Sequence, residues 1–178
     1  MISLHTPRLL LRPFADDDLG DLAALMANPD FMRFSLGVLS YEQTGDFLER
    51  IRKRDREGLP SQFAVTYLED NQLIGYCGFF LQIVDGVEEI EIGYRLDPGY
   101  WGRGLATEAA RAVRDHAFDD LKLPRVISLI HPDNLASRRV AEKNGLRPEK
   151  ETIFRGFPTI VFGIERNTRG VPPLDGGG

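Results

Sequence analysis

The chain has little cysteine, no long apolar run and fewer basic than acidic residues. Each of these features argues against certain classes of protein. Cys77 is the only cysteine among 178 residues, so an internal disulfide is excluded. No stretch of about 18 apolar residues occurs, which argues against a membrane span. The N-terminus also lacks the long apolar core of a signal peptide. A cytoplasmic protein is therefore the default expectation.

Charge and length set further limits. There are 22 basic and 27 acidic residues, a net charge of -5, which argues against a nucleic-acid surface. Such an acidic balance suits a cationic substrate, although many cytosolic proteins share it. No cluster of histidine, cysteine and carboxylates has metal-ligand spacing, so no metal is predicted. The length fits one domain, predicted at residues 1–166, and residues 167–178 are predicted to form a flexible C-terminal tail.

Hydrophobic periodicity predicts a mixed α/β domain with antiparallel and parallel pairing. The order is a strand, two helices, a three-strand meander, a helix, a strand, a helix and a final hairpin. Along residues 87–96 the alternation is clean, and it places Ile92 and Glu91 on opposite faces. Helices are predicted at residues 14–28, 41–57, 105–118 and 135–144, strands at 8–12, 62–68, 73–84, 87–96 and 126–130, and the hairpin within 154–165.

A glycine loop precedes the third helix. Residues 101–108 read Trp-Gly-Arg-Gly-Leu-Ala-Thr-Glu, so Gly102 and Gly104 lie just before a helical pattern. Unpaired amides and the helix dipole at such a place attract phosphate without a lysine. A Walker loop is absent, and a dinucleotide fingerprint would need Gly or Ala where Thr107 stands. Coenzyme A remains as the ligand that fits, and a simple strand-to-helix turn or a nucleotide-binding loop are the alternatives.

A second motif makes the first more specific. Residues 131–146, from His131 through Asn134 and Ser137 to Leu146, follow the next strand. Together with residues 100–109 they closely resemble the GNAT superfamily of N-acetyltransferases. The resemblance is greatest to the branch with RimJ/RimL-like acetyltransferases of ribosomal-protein N-termini. The opening residues 4–13 and residues 91–94 match that branch too, so the resemblance spans roughly residues 4–165.

This resemblance implies a fold and a cofactor. The fold is a GNAT-like single domain with a mostly antiparallel sheet of about seven strands, a splayed parallel central pair and about four flanking helices. Acetyl-CoA is implied to lie in the split between the strands at 87–96 and 126–130. Its expected contacts are Ile92, Gly93, Tyr94, Gly102, Arg103, Gly104, Leu105, Ala106, Thr107 and Asn134.

The implied reaction is direct attack of an amine on the thioester, without an acyl-enzyme. An α-amine has a pKa of ~7.7–8.0, so a weak base suffices near neutral pH. Glu91 is the candidate base, and the alternative is a rim carboxylate paired with Arg95. Many members of this family carry a tyrosine that acts as the general acid at the position of Ala141. Because that tyrosine is absent here, Ser137 is the candidate acid. Its alternative is a helix serine that bonds locally to backbone.

The predicted function is therefore acetyl-CoA-dependent N-acetyl transfer to a primary amine, with a protein or peptide N-terminal α-amine favoured. The alternatives are a small-molecule acceptor (an amino sugar, polyamine or amino acid) and a non-catalytic CoA-binding module. Acceptor contacts are expected from residues 31–34, 36–39 and 155–157. Expected partners are acetyl-CoA and the amine substrate, without nucleic acid or membrane, in a monomer or homodimer.

Overall fold

The computed structural model describes residues 2–168, and they form one mixed α/β unit. The helices are α1 Leu19–Met26, α2 Tyr41–Arg56, α3 Leu105–Asp119 and α4 Leu135–Lys143. The strands are β1 Leu4–His5, β2 Leu9–Arg12, β3 Gln62–Tyr67, β4 Gln72–Val84, β5 Val87–Leu96, β6 Arg125–Ile130, β7 Arg147–Phe154 and β8 Phe157–Glu165. Of the predicted tail, residues 167–168 end a short 3-10 helix, and residues 169–178 lie outside the described residues.

One sheet contains all eight of these strands, in the order β1-β2-β3-β4-β5-β6-β8-β7. The pairing is antiparallel except between β5 and β6, which confirms the predicted parallel central pair. The expected number of about seven strands is too low by one. Strand β1 has only two residues, too few to show a periodicity. Strand β7 is mostly exposed, so its start at Arg147 has no apolar alternation to mark it.

Local signals fix most helix ends. Ser40 caps α2 by accepting a hydrogen bond from the amide of Gln43, whose side-chain Oε1 in turn accepts one from the amide of Ser40. The first predicted helix is shorter than expected, because a 3-10 turn at Asp16–Asp18 precedes α1. Asp18 does not cap α1; its carboxylate instead binds Arg12 at 2.7 Å.

Helices cover both faces of the sheet. On one face α3 and α4 bury a core that includes Val113, Ala141 and Ile92. On the other face α1 and α2 pack over Tyr76 and partly over Phe80. Because β5 alternates, Ile92 lies under α3, whereas Glu91 is left on the side of α1 and α2. No helix within residues 2–168 is long and apolar enough to cross a bilayer.

Strands β5 and β6 separate almost as soon as they meet. Their pairing contains one Cα partner pair, Glu91 with Ile127, compared with ten pairs between β4 and β5. Just beyond that pair, the hydroxyl of Ser128 donates to the carbonyl of Ile92 at 2.9 Å. At this position a side-chain hydroxyl forms the hydrogen bond between the two strands, where a continuous ladder would use a backbone amide. The sheet opens at its centre, and the opening leads into the cleft described next.

Candidate functional site

A cleft of about 570 Å³ lies where β5 and β6 separate. Its walls come from the loop after α1, from α2, from the β4–β5 hairpin, from the ends of β6 and α4, and from the β7–β8 turn. The cleft brings together six of the predicted site residues, Glu91, Ile92, Gly93, Tyr94, Asn134 and Ser137. It also includes parts of all three segments expected to contact the acceptor, among them Phe34, Leu39 and Phe157.

Glu91 is held at the bottom of the opening by a buried amide. The side chain Nε2 of Gln82 donates to Glu91 Oε2 at 2.7 Å, and Gln82 is only 8% exposed. The other oxygen, Oε1, lies beside Gly93, 3.8 Å from where a Cβ would stand. A Cβ there would also come within 2.8 Å of the Phe80 ring, so glycine is the residue that leaves room for both groups.

The electrostatic surroundings of Glu91 favour retention of its proton. Burial raises the pKa of Glu91 above its ordinary value, because a desolvated carboxylate is costly. The hydrogen bond from Gln82, the amide of Leu129 and the charges of Arg155 and Arg95 act in the opposite direction. The net shift is upward, toward the pH range in which a general base works best.

Arg95 is not the hydrogen-bond partner of Glu91. Its Nη1 donates to the carbonyl of Phe31 at 2.9 Å and to that of Arg33 at 2.7 Å. Arg95 therefore fastens the loop after α1 over the cleft, and it reaches Glu91 only through its charge. The alternative of a rim carboxylate paired with Arg95 does not describe this geometry.

The first turn of α4 forms another wall of the cleft. Asn134 caps the helix through Oδ1, which accepts a hydrogen bond from the amide of Ser137 at 3.2 Å. Its Nδ2 has no hydrogen-bond partner within residues 2–168, so the capping role leaves a donor free. The hydroxyl of Tyr94 donates to the carbonyl of Ser137 at 3.1 Å. Burial raises the pKa of Tyr94, so this hydroxyl stays protonated.

The glycine loop lies beside the cleft rather than in its lining. Gly102 and Gly104 have φ angles of 75° and 76°, a left-handed conformation that favours glycine. In the described part of the chain, the six amides from residue 102 to residue 107 donate to no protein acceptor. The first bond of α3 comes from Glu108 to the carbonyl of Gly104. A row of unpaired amides at a helix start is a general anion site.

The side chains of this loop make contacts within the protein, which indicates packing rather than ligand binding. Leu105 is 2% exposed and belongs to the core under α3. The guanidinium of Arg103 lies over the ring of Tyr100 at 5.1 Å and donates to the carbonyl of Gly99. The predicted contacts at Leu105, Ala106 and Arg103 therefore concern their backbone amides.

Other titratable groups have surroundings that indicate a structural role rather than a catalytic one. Cys77 is fully buried, and burial raises the pKa of its thiol, which suits a core residue rather than a nucleophile. Glu89 binds Arg125 at 3.1 Å and stays outside the cleft lining. Among residues 2–168, no group of three or more histidine, cysteine or acidic side chains is placed to hold a metal ion.

Sequence reasoning missed the role of Gln82, although a signal existed. The turn at Asp85 and Gly86 fixes the hairpin register, in which Gln82 pairs with Glu89 and lies diagonal to Glu91. Because Asp85-Gly86 is itself a hairpin signal in the sequence, the neighbour of Glu91 could have been counted from it. No local signal predicts that the ring of Phe34 stacks on His131, since the two residues lie far apart in the chain.

Comparison with known proteins identifies the chain at this point. Residues 8–147 match the family model of the acetyltransferase (GNAT) domain. The chain belongs to the GNAT acetyltransferase family. The match covers both the glycine loop and α4, the two elements on which the resemblance in sequence depended.

Individual proteins agree with this membership. An uncharacterized N-acetyltransferase, p20 of Bacillus licheniformis, is 29% identical over 161 residues, 88% of each chain. A GNAT-family acetyltransferase structure from Bacillus anthracis is 28% identical, with a TM-score of 0.79 over 93% of this chain and 99% of that one. RimL, a ribosomal α-N-protein acetyltransferase solved in complex with coenzyme A, shares the fold at 19% identity, with a TM-score of 0.77 over 92% and 98%.

Two features of the chain fit the acetyl-CoA that this family uses. The six unpaired amides from residue 102 to residue 107 suit a pyrophosphate, and the opening between β5 and β6 suits an extended arm that needs backbone partners. The described part of the chain thus offers a row of unpaired amides and an opening in the sheet, one suited to each part of the cofactor.

Proposed function

We propose that this chain transfers an acetyl group from acetyl-CoA directly to a primary amine, and that the amine is a peptide or protein N-terminal α-amine. The observation that carries the proposal is Glu91, a carboxylate of raised pKa held at the bottom of the opening between β5 and β6. The α-N-protein acetyltransferase among the structural relatives supports this choice of acceptor.

Glu91 would take the proton of the amine. An α-amine needs only a weak base near neutral pH, since deprotonation then costs about 1 kcal/mol or less. Oε2 accepts the hydrogen bond from Gln82, and we assign Oε1, the oxygen beside Gly93, to accept the proton. A raised pKa brings this carboxylate closer to the pKa of the amine, which makes the transfer easier.

The cofactor contacts divide between backbone and side chain. Acetyl-CoA supplies the acetyl group as an activated thioester. We assign its pyrophosphate to the amides of Gly102–Thr107 and its arm to the edge of β5 at Ile92, Gly93 and Tyr94. Asn134 would add its free Nδ2. Ser137, in the cleft wall, would donate a hydrogen bond from its hydroxyl to the departing thiolate, and the proton that Glu91 takes from the amine would then pass to that sulfur through solvent.

The test is an acetylation screen with two separate readouts. Calorimetry measures acetyl-CoA binding, and release of the free CoA thiol measures transfer to peptides, amino sugars, polyamines and amino acids. We expect saturable binding together with thiol release on peptides that have a free α-amine, and none on the same peptides with a blocked N-terminus. Binding without release on any amine would instead indicate a non-catalytic CoA-binding module. No binding at hundreds of micromolar would reject both.

A further inference from the structure

The charge of the cleft is opposite to the charge of the chain. The protein carries a net charge of -5, yet the charged side chains in the described lining of the cleft are three arginines, Arg50, Arg95 and Arg155, and one carboxylate, Glu91. Such a lining disfavours a polycationic acceptor. What each arginine can bind depends on whether its guanidinium is already engaged within the protein.

Arg50 is free to bind a ligand. It follows Phe47 by three residues on α2, and both line the cleft. Within residues 2–168 its guanidinium forms no hydrogen bond or ion pair. The other arginines of the helix differ, since Arg52 binds Asp16, Arg54 donates to a backbone carbonyl at 3.0 Å and Arg56 binds Glu49 at 2.5 Å. Arg95, in contrast, is already held by two carbonyls of the loop after α1.

Arg155 occupies an unusual backbone position. It is the first residue of the two-residue turn between β7 and β8, with a φ of 50°, where glycine, asparagine or aspartate is the common choice. A long side chain there costs free energy, because the left-handed conformation brings its Cβ close to the following carbonyl oxygen. A residue kept against such a cost is a candidate for a role in function.

The side chain of Arg155 connects to the catalytic carboxylate. Its Nη2 donates to Gln82 Oε1 at 3.2 Å, and the other end of that amide donates to Glu91. The guanidinium also lies over the ring of Phe154 at 5.1 Å. One of its five N–H groups is thus used, and the others remain as donors next to the place where the amine would react.

We propose that the acceptor carries a carboxylate close to its reacting amine, and that Arg155 and Arg50 bind this carboxylate while Glu91 receives the amine. The inference rests on the proposed function and narrows its substrate class. The carboxylate has two possible sources, an acidic side chain within the first few residues of a peptide or the carboxylate of a free amino acid. Both place an anion within reach of an arginine fork.

The test compares matched acceptors by binding and by turnover. One pair is a peptide with two acidic residues after its N-terminal alanine and the same peptide with two lysines. The other pair is a free amino acid and its amide. Binding is measured at low salt with CoA present, so this readout does not depend on catalysis. We expect the acidic member to bind at least about tenfold tighter, the equivalent of about 1.4 kcal/mol.

Variants assign the preference to residues. Arg50→Ala and Arg155→Asn should each reduce the preference, mainly through KM, and the double variant should remove it. Asparagine suits the left-handed turn at this position, so the fold is spared. Arg56→Ala is the matched control, because Arg56 belongs to the same helix but lies outside the cleft lining. It should leave the preference intact.

Three results would overturn the inference. One is equal binding of the two members in both pairs. Another is a preference that survives in the double variant. The last is a loss of acetyl-CoA affinity in Arg50→Ala or Arg155→Asn with the acceptor preference intact, which would assign these arginines to the anions of the cofactor. A binding preference without acetylation of either acceptor would instead contradict the proposed function and leave this inference supported.

Discussion

The two ends of the candidate site use different parts of the polypeptide. At the glycine loop, the groups offered are backbone amides of six consecutive residues, 102 to 107. At the acceptor end they are side chains from four separate segments: Arg50 of α2, Gln82 of β4, Glu91 of β5 and Arg155 of the β7–β8 turn. Side chains at the loop can change without loss of the amides, whereas each acceptor contact depends on one residue type. The acceptor end is thus the part of the site in which substrate choice can change independently.

The largest effect is expected from a substitution in the glycine loop, the end of the site that offers backbone amides. Gly104→Glu places a carboxylate at the amides proposed for the pyrophosphate. We expect acetyl-CoA affinity to fall by about 1000-fold, since like charges about 4 Å apart repel by about 4 kcal/mol near a protein surface. Calorimetry measures the affinity.

The matched control for that variant is Gly86→Glu. Gly86 has a φ of 80° and open space around its Cα, so the substitution adds the same backbone strain and the same charge in the β4–β5 hairpin. It should bind acetyl-CoA as the wild type does. Near-normal affinity in a folded Gly104→Glu variant would mean that the loop does not hold the cofactor.

The acceptor end is broken by Glu91→Gln. We expect kcat/KM at pH 7 to fall by about 100-fold, the low end for a general base, because an α-amine needs little help. Acetyl-CoA affinity should stay unchanged. The deficit should shrink at pH 9, where the amine is already neutral. A deficit of the same size across the pH range would indicate that Glu91 does not act as the base.

A smaller effect is expected for Gln82→Leu, and its size should depend on pH. A base acts only when ionised, so wild-type activity should decline as pH falls through the raised pKa of Glu91. Loss of the Gln82 donor raises that pKa further, and one unit corresponds to 1.36 kcal/mol, about the strength of such a bond. At pH values below that pKa we expect kcat/KM to fall by about tenfold, and the difference from the wild type should disappear as the pH rises above it. A uniform loss at every pH would indicate a packing role alone.

The smallest effect is expected for Ser137→Ala. CoA thiol is a tolerable leaving group, so kcat should fall by about threefold, as for one neutral hydrogen bond of about 0.5–1.5 kcal/mol. Tyr94→Phe serves as the comparison, because it removes the hydroxyl that donates to the carbonyl of Ser137. A loss of about 100-fold in kcat for Ser137→Ala would make its hydroxyl an essential acid rather than a helper.

The same contrast explains what could be predicted from the sequence. The loop and α4 could be located because their signals are local: two glycines before a helical pattern, and Asn134 as a cap. Strand β5 was predicted with its observed bounds, because its alternation is regular. Glu91 was chosen from that alternation, yet the only side chain considered as its partner was Arg95, since contacts between strands require a register.

Other parts of the acceptor end could not have been read from the chain. The free guanidinium of Arg50 looks the same in sequence as its paired neighbours on α2, because only packing decides which one faces the cleft. Arg155 was expected near the acceptor, but its link to Gln82 depends on how the β7–β8 turn sits against β4. Bulk charge does not describe the cleft either, because the chain is acidic overall whereas the charged side chains in the described lining are three arginines and one carboxylate.

The single pairing of β5 with β6 has a further consequence, for the motions of the molecule. The sheet consists in effect of two blocks, β1 to β5 and β6 to β8, that share one backbone bridge at Glu91 and Ile127. A ligand arm that formed hydrogen bonds with the facing edges of both β5 and β6 would connect the two blocks. Amide exchange along Val126–Ile130 should then slow when acetyl-CoA binds, so the cofactor would help to hold together the sheet that holds it.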